Sequence, residues 1–122
     1  MAVVAALDQA QQGHNVHLYT YGQPRVGEKN FAAYQNSIIT SANLRAVYRN
    51  DPVPTVPFVD VLDFIHAGTE VHFYECNPLA YIAFPFNTDD SPVTDLFAVS
   101  DHEGYFCLYD SNVKPAGEQF ME

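Results

Sequence analysis

Two alternating runs bracket a helical one. "NVHLYTYG" (residues 15–22) comes first, "EKNFAAYQNSII" (28–39) is next, and "LRAVYRN" (44–50) closes the unit. In the first run Val16, Leu18 and Thr20 share one face, and His17, Tyr19 and Tyr21 the other. That is the period of a strand, and aromatic residues on the second face predict a strand covered on both sides. In the middle run Phe31, Tyr34, Ile38 and Ile39 recur at helical spacing, with Glu28 where the N-terminal dipole favours an acid. Strand, helix, strand restricts the chain to a parallel sheet with a right-handed crossover. "TEVHFYE" (69–75) supplies a third strand, and "AVVAALDQAQQG" (2–13) a leading helix with Val3, Val4 and Leu7 on one face and Gly13 as its stop. The predicted fold class is therefore α/β, a three-stranded, mostly parallel sheet with flanking helices.

The remainder is less regular. "NPLAYIAFPFNTDDSPVTD" (77–95) mixes apolar residues with turn formers and reads as an excursion, in which the run 79–86 is expected to be a buried irregular strand rather than an acyl-chain or lipid contact. "SNVKPAGEQFME" reads as a frayed tail. One domain is what 122 residues supply, and 48% hydrophobic content argues against disorder. A formal charge of −10, with only Arg25, Lys29, Arg45, Arg49 and Lys114 basic and scattered, excludes a phosphate-binding surface and hence a nucleic-acid partner. No run is long enough to span a membrane, and "MAVVAAL" lacks the basic start and cleavage site of a signal peptide. Cys76 and Cys107 form no C-x-x-C motif. Pairing them would close a long loop worth about 3–4 kcal/mol in the chain-entropy model; two buried thiols are the equal alternative.

The chemistry centres on "RAVYRNDPVPTVP" (45–57), where an alternating run ends on Asn50-Asp51 and three prolines stiffen the exit. Reactive groups of an open parallel sheet gather beyond the carboxyl ends of its strands. Asp51 stands there, and Pro52 steers its backbone toward extended geometry. The plain reading is a turn aspartate before a proline. The other is a fixed carboxylate that holds the tautomer of a histidine and stabilises its cation. Of the candidates, His66 precedes the third strand, His72 lies within it, and only His102, in "SDHEGYF", comes after it. Ser100 and Asp101 would suit the cap of a short helix there, and His66 is expected as a supporting or core residue.

Other features carry simpler expectations. His14 and His17 straddle a turn and a strand, so an H-x-x-H zinc site is not expected. Tyr19 and Tyr21 are expected to pack under a helix rather than line a pocket. Arg25 is expected to pair with a carboxylate rather than bind an anion. Asp89, Asp90 and Asp95 lack the glycine and terminal glutamate of an EF-hand loop. No metal or cofactor is expected.

An acid and then a histidine, beyond successive strands, is the order of the α/β-hydrolase triad, in which a serine comes earlier. The blocks "MAVVAALD", "VHLYTYGQPRVG", "FAAY", "YRNDPVPTVP", "HAGTEVHFY" and "DHEGYF" together resemble the C-terminal half of the class 3, or fungal-type, lipases, from residue 1 to about 109, with 110–122 as a tail. "YGQPRVG" and "RNDPVP" carry the resemblance as a pair. It implies a partial α/β-hydrolase fold, hydrolysis of acylglycerol or other lipid esters through an acyl-serine intermediate without a metal, Asp51 as triad acid and His102 as triad base. Relatives are often exported, while this chain carries no address.

One departure stands out: no G-x-S-x-G occurs, and Ser37, Ser41, Ser91, Ser100 and Ser111 all lack the strand-to-helix elbow that exposes a reactive hydroxyl. The resemblance puts the family's elbow about five residues before Met1. The expectation is therefore a lipase portion that is inactive alone and completed by an upstream half, with strand 16–22 left as an unpaired edge open to association. A non-catalytic remnant serving as an interaction or lipid-binding module is the alternative, and a small unrelated α/β binding domain the third.

Overall fold

The computed structural model describes residues 1–77, 79–84 and 97–105. Helix α1 (Ala2–Gln11) leads into strand β1 (Leu18–Tyr21), then β2 (Gly27–Glu28), α2 (Lys29–Ile38) and β3 (Asn43–Tyr48). A 3₁₀ turn (Val53–Thr55), α3 (Val59–Leu62), β4 (Phe64–Ile65), β5 (Thr69–Phe73), β6 (Tyr81–Phe84) and α4 (Val99–Glu103) complete the order. The main sheet runs β1-β3-β5-β6. β1, β3 and β5 are parallel, in the register Thr20↔Arg45↔Glu70. β6 joins antiparallel beside β5, and β2 pairs with β4 in a separate antiparallel ribbon.

The parallel core agrees with the sequence reading, but among the described residues the sheet has four strands rather than three. β6 falls in the stretch read as an irregular excursion. Tyr81, Ile82 and Ala83 are exposed there, so the strand is not buried as expected. Its signal was hidden because an exposed edge strand needs no alternation of burial.

One face of the sheet is covered by the helices. Val3, Ala6 and Leu7 of α1 pack with Leu18 of β1 and Ile39 after α2 in a single apolar cluster. Removing each large side chain from water contributes about 1.5–3 kcal/mol. Val4, placed on that face by its spacing, is instead exposed, and Ala6 takes its place. Tyr34 also faces outward, while Ala32 and Gln35 are the buried residues of α2.

Among the described residues the opposite face is open. Tyr19 and Tyr21 are half exposed and, with Leu44, Ala46, Val71 and Phe73, line a hollow of about 160 Å³. Neither tyrosine packs under a described helix, so among the described residues β1 is covered on one face rather than on both. Alternation told which residues share a face, not whether anything lies against it. β1 forms one edge of the sheet, and no described helix is long and apolar enough to cross a membrane.

Candidate active site

An unusual residue follows strand β3. Arg49 has φ 48, the left-handed region that residues with a Cβ seldom enter. The chain turns there, and the Asp51 N–H donates to the Tyr48 carbonyl at 3.0 Å. Asp51 then caps the segment after it: its Oδ1 accepts the Val53 N–H at 2.9 Å, an Asx-type turn that starts the 3₁₀ segment. The prolines keep this exit extended or tightly turned. Arg25 binds it to the loop after β1, donating to the Thr55 and Pro57 carbonyls, the latter at 3.0 Å. The Arg25 N–H adds a bond to the Val56 carbonyl at 2.9 Å. "YGQPRVG" and "DPVPTVP" are thus two sides of one stitched loop pair, which sequence separation conceals.

Asp51 is fully buried, at 0% exposure. His102, on α4, brings Nδ1 to 2.9 Å from Asp51 Oδ2 and 3.2 Å from Oδ1. Since the ionised carboxylate only accepts, Nδ1 is the donor and carries the proton. Nε2 is therefore the nitrogen that keeps the lone pair. The His102 side chain is 38% exposed, so the ring is partly open to solvent. A third donor completes the carboxylate: the Tyr105 hydroxyl reaches Oδ2 at 2.6 Å. Burial, and then the hydrogen bond and charge of Asp51, push the Tyr105 phenol well above its ordinary range, although the Tyr48 and Gly22 backbone N–H groups pull the other way. The phenol remains a donor at all ordinary pH values. A buried charge with three donors is compensated; with fewer it would not be.

Two further contacts fix the geometry. Asp101 does not cap α4, whose N-cap residue is Ala98 with no side-chain bond. Its Oδ2 instead accepts the Asn50 N–H at 3.0 Å, tying α4 to the turn that presents Asp51. Gly22, at the end of β1, has φ +57, and a Cβ there would lie 2.7 Å from His102 Cε1 and Nδ1 and 2.8 Å from Asp51 Oδ2. Only glycine allows the imidazole to settle against the strand end.

The sequence-predicted pair is thus brought together, and two members of its surroundings were missed. Tyr105 lies three residues after His102, a helical spacing that would have put it on the same side. Gly22 closes an alternating run, the position where close backbone approach is common. His66 is buried and bonds the Pro54 carbonyl at 2.7 Å through Nε2, in line with a core role. His14 and His17 belong to no group of metal-binding side chains among the described residues. Cys76 is disulfide-bonded. Cys107, the acidic cluster at 89–95 and the tail at 110–122 lie outside the described residues.

Comparison with known proteins places this geometry in a family. Residues 1–61 match the family model for lipase (class 3), which is half of the chain. The chain belongs to the class 3 lipase family. A lipase of Rhizomucor miehei is 33% identical over 117 residues, covering 86% of this chain and 31% of the relative. A triacylglycerol lipase of Ricinus communis is 39% identical over 62 residues, 48% of this chain and 12% of that protein. In three dimensions, the Rhizomucor miehei triacylglyceride lipase superposes with a TM-score of 0.73 at 32% identity, over 85% of this chain and 42% of the other. A triacylglycerol lipase whose catalytic centre is described as a serine protease triad superposes at 0.70 and 31% identity. The fold is accordingly a partial α/β-hydrolase fold, and the chain spans less than half the length of these class 3 lipases.

Proposed function

We propose that this chain supplies the acid and base of a class 3 lipase that hydrolyses carboxylic esters of acylglycerols. Residues 1 to about 109 form the C-terminal portion of its catalytic domain. In this reading His102 takes the proton of a serine hydroxyl at Nε2 as the serine attacks the ester carbonyl. It returns that proton to the departing alcohol, and the cycle repeats with water to release the acid. Asp51 holds the ring in the tautomer that leaves Nε2 basic and stabilises the imidazolium. The nucleophile is not among these residues, since no serine of the chain stands on a G-x-S-x-G elbow. The observation that carries the reading is the 2.9 Å bond between a fully buried Asp51 and a half-exposed His102, in a chain similar to triacylglycerol lipases.

The decisive experiment joins the chain to the nucleophile-bearing N-terminal segment of the Rhizomucor lipase and measures fatty-acid release from an acylglycerol emulsion. The fusion is expected to turn over and the isolated chain is not. Asp51→Asn should cost about 10⁴-fold through the wrong tautomer. A fusion in which His102→Ala leaves turnover unchanged would remove His102 from the role.

A further inference from the structure

A second imidazole lies directly behind the turn that carries Asp51. His72, on β5, is 1% exposed. Its Nε2 stands 2.7 Å from the Arg49 carbonyl oxygen, its Nδ1 3.3 Å from Glu70 Oε1, and its ring stacks on Tyr74 at 4.3 Å. A carbonyl oxygen only accepts, so Nε2 carries a proton and donates. Glu70 is itself held by Arg45 at 3.4 Å, and Arg45 by the Ala67 carbonyl at 3.0 Å. The ring therefore cannot swing without disturbing a buried network.

The recipient of that bond is the left-handed Arg49. A non-glycine residue stays in this region only where its surroundings over-determine it. Here both of its main-chain groups are bound to β5: the N–H donates to the Phe73 carbonyl at 2.8 Å and the carbonyl accepts from His72. Two residues further on, Asp51 is aimed at His102. If the Arg49 peptide relaxed, Asn50 and Asp51 would rotate with it, and a 2.9 Å hydrogen bond does not survive a shift of about 1 Å.

We infer that His72 is a positioning residue, which through its bond to the Arg49 carbonyl holds the left-handed turn that aims Asp51 at His102. The inference rests on the proposed pairing of Asp51 with His102. Asp101, which grips the Asn50 N–H from α4, acts on the same turn from the other side, while Tyr105 bonds Asp51 directly.

The test uses the 122-residue chain with ¹⁵N-labelled histidine. It reads the His102 Nδ1–H resonance, whose chemical shift reports the Asp51 bond itself. It also reads the exchange of that proton with solvent, compared with backbone amides that exchange only through global opening. His72→Phe removes the donor, and the Nδ1–H is expected to exchange at least about tenfold faster. His72→Gln, whose amide N–H can reach the Arg49 carbonyl, is expected to restore the native rate. If His72→Phe does not fold, His72→Asn, too short to reach, provides the same contrast with His72→Gln. Asp51→Asn serves as the reference and should move the proton from Nδ1 to Nε2. Should that reference leave the His102 signal untouched, the pairing itself is wrong. A reference that responds while the donor-less His72 variants match the native rate overturns the role of His72 alone.

Discussion

Among its described residues the molecule holds two imidazole–carboxylate pairs of the same chemistry in different settings. Asp51 and His102 meet at 2.9 Å on the rim of the sheet, with the carboxylate sealed and the ring 38% exposed. Glu70 and His72 meet at 3.3 Å inside it, with both side chains 2% exposed. In the first pair the far nitrogen is open; in the second it is spent on a main-chain carbonyl. An imidazole whose Nε2 is free can exchange a proton with a substrate, whereas one bonded at both ends is a strut. The difference lies in what covers the second nitrogen, not in the identity of the residues.

The sharpest way to break this comparison is to truncate both rings in the fused, complete domain. His102→Ala should reduce ester turnover by about 10⁶-fold. Because its ring is partly exposed, the unfolding free energy should move far less than turnover. His72→Ala should lower stability by about 2–5 kcal/mol in denaturant titration through the cavity left in the sheet. It should lower turnover by less than His102→Ala, because it acts only through the turn that aims Asp51. Equal stability losses in the two variants would mean that the rim histidine is also a strut.

Next in size is the carboxylate of the buried pair. Glu70→Ala leaves the Arg45 guanidinium buried without its acid, and a loss of about 3–5 kcal/mol in unfolding free energy is expected. The isosteric Glu70→Gln, which still accepts hydrogen bonds, should lose less; the reverse order would show that hydrogen-bond acceptance at this position is not what the network needs.

Gly22→Ala tests the rim from its floor. The positive φ costs about 1–2 kcal/mol for an alanine, and the new methyl group meets the His102 ring. Displacement of the imidazole should appear as a changed His102 Nδ1–H resonance, beyond the stability loss alone.

Tyr105→Phe is the mildest change. Loss of one donor to Asp51 should cost about 1.5–3 kcal/mol at neutral pH, as for hydrogen bonds to charged groups. The pH dependence has a definite sign. The folded phenol is held above its ordinary value, so the unfolded chain releases this proton first, near pH 10. The contribution is full below that pH and is lost as pH rises beyond it. Chemical denaturation between pH 9 and 11 should show a steeper decline in the parent chain than in Tyr105→Phe. Parallel curves would count against the bond.

The helix–strand rhythm, the parallel order of β1, β3 and β5, and the place of Asp51 beyond a strand end were legible because periodicity and proline are local properties. His102 was chosen over His72 by chain order alone, and the family resemblance gave that order its meaning. What could not be read were relations across the chain. Arg25 joins its own loop to the proline-rich one through the Thr55 and Pro57 carbonyls, a link between segments 30 residues apart. Asp101 was expected to cap its own helix and instead holds Asn50.

The amino-acid sequence by itself determined β1, β3 and β5, the helix between the first two and the two residue types that stand beyond the sheet. Spacing, turn chemistry and backbone restriction produce these, and all three act within a few residues. Only the tertiary structure decided which imidazole keeps an open nitrogen, which aromatic side chains stay uncovered, and why Gly22 and Arg49 hold their backbone angles. Burial and hydrogen-bond partners arise between residues far apart in the chain, and no local pattern encodes them.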